Sequence, residues 1–156
     1  MVQSFPWVHP LPWKQQAAPL MSGPSEEDKV LQEVLKLVEL GVVREVSHEP
    51  YLIPVFGVPK KLGDTRLVLD FWKFNTCVKH QPFLLVNREF ALAEVRPFVV
   101  GSSLDLANAY FQVRLAPPLW RYMGILVKGH FFEYMQLPFG YNNSPHEFLW
   151  ALWPTM

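Results

Sequence analysis

Few residues in this 156-residue chain have the types and spacing to do chemistry. Asp105 comes first. It follows Phe98-Val99-Val100-Gly101-Ser102-Ser103-Leu104, whose β-branched and aromatic opening predicts a buried strand over Phe98–Leu104. A carboxylate at a strand end, ahead of the short turn Leu106-Ala107-Asn108-Ala109-Tyr110, has a fixed position and faces out of the core. That placement suits a divalent metal, although on this segment alone a side-chain cap on the turn is the commoner role. A second group is cationic: Lys60, Lys61 and Arg66 gather at a predicted hairpin tip with Gly63-Asp64 in the turn. A cationic β-ribbon either ends in solvent or closes on phosphates. After Asp105 the only acids are Glu133, inside a predicted strand, and Glu147, inside a predicted helix cap.

Composition narrows the partners these groups could meet. The formal net charge is zero, so no global field draws the chain to nucleic acid or acidic lipid, and any such attraction must be local. Charge is segregated: Ser25 to Glu49 is acidic on balance, while Val58 to His80 sets five cations against Asp64 and Asp70. The single cysteine, Cys77, excludes an internal disulfide and a Cys-x-x-Cys knuckle, which fits a reducing compartment. With no signal-peptide pattern and no run long enough to span a bilayer, the expectation is a soluble, intracellular, cytoplasmic protein.

The elements that must position these residues follow from periodicity and punctuation. Residues 1–24 are rich in proline, with Phe5, Trp7 and Trp13 between, and predict an extended arm whose aromatics lie on the domain or on a partner. Ser25 as N-cap, acids in the first turn, apolar residues at helical spacing and Gly41 as a stop predict a helix over Ser25–Leu40. Pro50, Pro54 and Pro59 restrict the following runs to edge strands, before the hairpin around Gly63-Asp64 returns through Leu67-Val68-Leu69. Asn87–Arg96 has a helical composition with Asn87 as N-cap. Alternation predicts a strand over Phe111–Leu115, and Tyr122–Val127 with His130–Leu137 predicts a hairpin about Lys128-Gly129. Ser144, Pro145 and Glu147 give a capping box that starts a helix over Ser144–Ala151. The sum is an α+β fold, an antiparallel sheet of Phe98–Leu104, Phe111–Leu115 and the Tyr122–Leu137 hairpin packed against the Asn87–Arg96 and Ser144–Ala151 helices.

From Ser25 to Trp153 the order of motifs resembles the reverse transcriptases of retroviruses and long-terminal-repeat retroelements. Four segments carry the resemblance: Pro50-Tyr51 through Pro54-Val55-Phe56 into Lys60-Lys61; Arg66-Leu67-Val68-Leu69-Asp70-Phe71 with Asn75; Leu104-Asp105-Leu106 with Ala109-Tyr110-Phe111; and Leu137-Pro138-Phe139-Gly140 with Ser144-Pro145 and Phe148. Three positions depart from the pattern. Trp72 replaces an arginine and Phe74 a leucine, both touching the packing of the fingers, and Phe139 stands where many retroviral enzymes have glutamine and many retroelements phenylalanine.

The resemblance implies an RNA-directed DNA polymerase fragment of endogenous-retrovirus type, with polymerase fingers and partial palm. Residues 1–24 would be the arm, 25–97 the fingers-like region and 98–156 the partial palm. It implies template-directed nucleotidyl transfer with two Mg²⁺ or Mn²⁺ ions in the complete enzyme. There Asp105 would be a catalytic, metal-holding carboxylate and Leu106 would offer a backbone carbonyl to the metal. Lys60 and Arg66 would grip the triphosphate, Asn108 and Ala109 would give backbone N–H groups to it, Tyr110 would exclude a 2′-hydroxyl, and Phe139 would lie against the sugar. Gly140 and Pro145 would contact the template. The implied partners are RNA or DNA template-primer, dNTP and the remaining palm, thumb, connection or RNase H portions of a polyprotein, without a membrane. The family's Tyr-x-Asp-Asp motif, expected beyond Trp153, is absent from these residues, so the fold is expected to stop before the second carboxylate motif and the chain alone to be inactive. An alternative stays open, a non-enzymatic nucleic-acid- or protein-binding remnant of a retroelement.

Overall fold

A computed structural model of the chain describes residues 1–11, 24–83, 87–94, 97, 101–102, 105–106 and 108–152. Helix α1 (Pro24–Glu39) starts one residue ahead of the expected cap. It ends where the sequence predicts: Gly41 has φ +74°, its N–H donates to the Val38 carbonyl and the Val42 N–H donates to Leu37. Its buried face carries Val30 and Val34. That face packs on a hairpin of β2 (Val55–Pro59) and β3 (Thr65–Leu69), paired Val55↔Leu69 through Pro59↔Thr65 with Lys60–Asp64 at the tip. The approach is close at Gly57, where a Cβ would stand 3.0 Å from Val30 Cγ2 and 2.6 Å from Thr65 Cγ2.

Helix α1 also meets a three-stranded antiparallel sheet of order β1-β5-β4, made of β1 (Val43–Val46), β4 (Gly124–Val127) and β5 (His130–Tyr134). The β4–β5 hairpin is the predicted one. Lys128 and Gly129 have φ of 49° and 77°, the left-handed pair of a type I′ turn, and Lys128 pairs with Asp28 of α1. Tyr122, expected in the strand, instead closes a 3₁₀ helix over Pro117–Tyr122, because Pro117-Pro118 sets helical φ values at its start. Strand β1, a sheet partner the sequence pattern does not reveal, pairs residues 43–46 with residues 131–134. The segment 51–53 extends the sheet, with the Gly124 N–H donating to Tyr51 and the Ile53 N–H donating to Gly124.

Three further expectations are corrected. Phe111–Leu115 is not one strand: Ala109–Gln112 form a 3₁₀ helix entered from Asn108 at φ 50°, and extended backbone begins at Val113. The alternation of Phe111, Val113 and Leu115 arises from two separate burials, Phe111 against Tyr134 and Phe139, and Leu115 in the core. From Val113 the chain does pair, the Leu137 N–H donating to Val113 and the Leu115 N–H to Met135. Helix α3 (Arg88–Glu94) forms, and Asn87 Oδ1 accepts the Glu89 N–H, but it buries no residue, so among the described residues it does not pack on the sheet. Helix α4 (Ser144–Leu152) begins at Ser144, so Asn143 and not Ser144 stands at the cap position: the Asn143 carbonyl accepts the first helical bond, from Glu147, while the Ser144 hydroxyl donates to the Pro138 carbonyl. The predicted strand Phe98–Leu104 falls largely outside the described residues. The fold is α+β. No helix among the described residues is long and apolar enough to cross a membrane.

The arm joins the core. Val2, Phe5 and Leu11 are buried, and Phe5 meets Phe74 of helix α2 (Trp72–Cys77) and Tyr141 edge-on at 5.4 and 5.5 Å. Phe74 is fully buried, so the ring standing in place of leucine is matched by a ring from the arm, while Trp72 points to solvent, 70% exposed.

Gly124 supplies a sharp test of this packing. A Cβ there would lie 2.2 Å from Pro50 Cγ and 2.7 Å from the Tyr51 carbonyl oxygen, so Gly124→Ala forces backbone to move. The expected loss is about 1–3 kcal/mol or more in urea denaturation; an unchanged midpoint would show that segment 50–53 does not lie against β4.

Candidate functional site

The expected site residues come from three places in the fold. The first is the turn after Asp105. Asp105 and Leu106 are exposed, and among the described residues the Asp105 carboxylate makes no hydrogen bond or ion pair. Asn108 holds the left-handed conformation and its carbonyl accepts the Phe111 N–H at 3.0 Å. This tight turn lifts Ala109 and Tyr110 to a half-buried position, with the Tyr110 ring laid on its neighbours.

Those neighbours belong to the second place, the loop 138–143 and the start of α4. The Tyr110 ring lies 4.8 Å from Phe139 and 5.7 Å from Phe148, and Phe139 lies 5.3 Å from Phe111. Phe139 remains 47% exposed, which leaves an aromatic face open to solvent beside Tyr110. Gly140 has φ +99°, and a Cβ there would sit 3.1 Å from Phe71 Cδ2 and 3.3 Å from the Leu69 carbonyl oxygen, so conformation and space both call for glycine. Pro145 stands in the first turn of α4, half-buried.

Asparagines hold this loop. Asn75 Nδ2 donates to the Gly140 carbonyl at 3.2 Å while its Oδ1 accepts the Asn142 N–H at 2.8 Å. Asn143, fully buried, accepts the Gln81 N–H at 2.8 Å and donates to the Lys79 carbonyl and the Tyr141 hydroxyl. Burial pushes the Tyr141 phenol up to about 12, against the opposing Asn143 bond, and raises Tyr134 as well, so both stay neutral at any ordinary pH. Sequence reading missed these locks. Asn142-Asn143 directly before a helix start was the available signal, but its partners at 75 and 79–81 are distant in the chain.

The third place is the β2–β3 hairpin. Lys60 and Arg66 are exposed and, among the described residues, neither enters an ion pair; Arg66 stands opposite Val58 and the Lys60 N–H donates to the Asp64 carbonyl. The end of β3 reaches the loop of the second place through Leu69 and Phe71 against Gly140. The structure thus brings Tyr110, Phe139 and Phe148 into contact and ties Gly140 to the hairpin's end. Among the described residues, no three His, Cys, Asp or Glu side chains gather as a metal would require.

In class, this is the fold found within viral protease-reverse transcriptases. The structure matches a crystal structure of a prototype foamy virus protease-reverse transcriptase mutant with a TM-score of 0.80, at 22% identity, over 97% of this chain and 20% of that one. The foamy viral protease-reverse transcriptase in complex with dsDNA matches at a TM-score of 0.69 and 22% identity, over 93% of this chain and 30% of that one. By sequence, the retrovirus-related Pol polyprotein from transposon 297 of Drosophila melanogaster is 26% identical over 129 residues, which is 80% of this chain and 12% of the polyprotein. The transposon Tf2-3 polyprotein of Schizosaccharomyces pombe is 29% identical over 125 residues, 80% of this chain and 9% of that protein. No family model matches. The chain is a region related to retroelement reverse transcriptases, and it spans about a tenth of the length of the polyproteins it matches.

Glu147 carries a pH signature of the helix start behind Phe139. Burial raises its carboxyl above the ordinary carboxylate range, against the nearby His146 charge. An acid whose folded pKa is raised contributes stability that is fully present below its unfolded value and lost as pH rises through the folded one. Glu147→Gln should therefore match the parent in acid and become the more stable chain as pH rises to neutrality, followed by thermal melts. A parent that gains on the variant with rising pH would reverse the assignment.

Proposed function

We propose that the chain is the fingers and first palm portion of a retroelement reverse transcriptase, and that its activity belongs to the complete polymerase. The observation that carries this reading is the contact of Tyr110 with Phe139, on a tight turn that follows the exposed Asp105. A rigid half-buried ring beside an open aromatic face is suited to testing the shape of a sugar, where discrimination is steric. Asp105 would be one of the polymerase's metal-holding, catalytic carboxylates, with Leu106 beside it offering its carbonyl. Asn108 and Ala109 would direct backbone N–H groups to the nucleotide's phosphates. Lys60 and Arg66, free of acidic partners among the described residues, would neutralise the triphosphate. Gly140 and Pro145 would lie along the template, in keeping with a foamy viral relative bound to dsDNA.

The donor set among the described residues does not fit a pair of divalent ions, and the sequence contains no Asp-Asp pair, so no catalytic step is assigned to this chain alone. Primer extension on an RNA template with Mg²⁺ or Mn²⁺ should give no product. Product that disappears in Asp105→Asn would overturn the claim and establish a self-sufficient enzyme.

Nucleic-acid binding is expected to be weak, indifferent to sequence and steeply salt dependent, because a few cations supply it. Each lost phosphate contact reduces the slope of log K against log salt by about 0.7–0.9. Lys60→Ala with Arg66→Ala should flatten the slope by about twice that amount. A slope that does not change would place any binding surface away from the β2–β3 hairpin.

A further inference from the structure

Residues 1–11 are a separate piece of chain laid into a groove of the domain and tied to α1 only through residues 12–23. The arm is bonded to the domain at two places along its length. The Val2 N–H donates to Arg114 at 2.9 Å and the Ala116 N–H donates to Val2 at 2.8 Å, while farther along the Val8 N–H donates to Cys77 and the Lys79 N–H to Pro6, each at 2.8 Å. Along the arm, Val2, Phe5 and Leu11 turn inward and are 3%, 5% and 8% exposed, whereas Gln3, Ser4, Val8, His9 and Pro10 face solvent. The groove is lined by Phe74, Cys77, Val78, Leu115, Tyr122 and Tyr141, and Phe5 meets the Phe74, Tyr122 and Tyr141 rings edge-on. Main-chain bonds along an extended segment with side-chain pockets at intervals are how strand-addition sites read a peptide.

We propose that this groove is a strand-addition site for an extended apolar and aromatic peptide, and that its occupant in trans is the arm of a second copy of this chain. The sequence that fills the groove is direct proof of which peptide chemistry it accepts. Exchange between copies keeps every contact of the arm and changes only its connectivity, the low-cost route to a swapped dimer. Three buried anchors hold the arm, against a core built from the whole domain, so its release is a local opening well below global unfolding. The chain's own arm competes at an effective concentration in the millimolar range. Exchange therefore emerges at high protein concentration or when the resident arm is weakened.

Cys77 is a native reporter of release, as the only cysteine, 7% exposed, with its thiol 3.9 Å from the Pro10 carbonyl oxygen beneath the arm. In the full-length Phe5→Ala chain, the thiol should react at least tenfold faster than in the parent. A synthetic peptide of residues 1–11 at millimolar concentration should return the rate toward the parent value, and a scrambled peptide should not. Absence of protection, or equal protection by the scrambled peptide, overturns the proposal. Should Phe5→Ala fail to fold, the parent chain decides: thiol labelling should depend far less on urea than global unfolding does, and sedimentation should show dimers increasing with concentration. A labelling slope equal to that of global unfolding, or a monomer at every concentration, overturns it.

Discussion

Phe74 is the point on which the structure turns. Its ring, shut off from solvent, is met by Phe5 from the arm, Phe71 from the end of β3 and Tyr141 from the loop before α4, all at about 5.5 Å and close to perpendicular. Edge-on geometry places the positive rim of one ring against the negative face of the next, worth about 0.5–1.5 kcal/mol per pair beyond the buried area. Three stretches of chain separated by tens of residues, around residues 5, 71–74 and 141, are thereby fixed to one another. The loop carrying Phe139 and Gly140 has its position because Tyr141, next along, is held in this cluster.

A second constraint is electrostatic and sets the register of the sheet. Glu133 on β5 is 1% exposed, yet both its oxygens are used: Arg44, its cross-strand partner on β1, donates from Nη2 at 2.9 Å and Nε at 3.2 Å to one, and His48 Nε2 lies 2.7 Å from the other. The Arg44 guanidinium also lies over the Trp120 ring at 4.6 Å. Removing one partner of a buried pair costs about 3–5 kcal/mol, because a charge is left without compensation. A slip of β1 by one residue would do the same, so the carboxylate specifies the pairing that joins the two halves of the chain.

The site side chains stand outside these rigid parts. Asp105, Lys60 and Arg66 are exposed and, among the described residues, unpaired, while the residues behind them are locked: Gly140 by Asn75 and by close contact with β3, Tyr110 by Phe139 and Phe148. In the reading proposed above, the two cations carried on this fixed frame would meet a phosphate-bearing ligand at a reduced ordering cost.

Local sequence was sufficient for much of this. The span of α1, the turn at Gly41, the Lys128-Gly129 hairpin, the Gly63-Asp64 tip and the cap at Asn87 are decided within a few residues by φ preference, capping and periodicity, and they stand as read. The motifs around Asp105 and Phe139 were legible for the same reason, being short runs of fixed residue type. Tertiary structure decided what those runs touch. Phe111 reads as strand because it alternates with Val113, yet its ring is claimed by Tyr134 and Phe139 from another part of the chain, and the backbone turns to deliver it. Strand β1, the arm's docking through Phe5 and the Asn75 and Asn143 locks likewise depend on partners far away in sequence. A residue's neighbours along the chain fix its conformational preference, whereas the burial of rings, charges and amides is settled only when distant segments close on them.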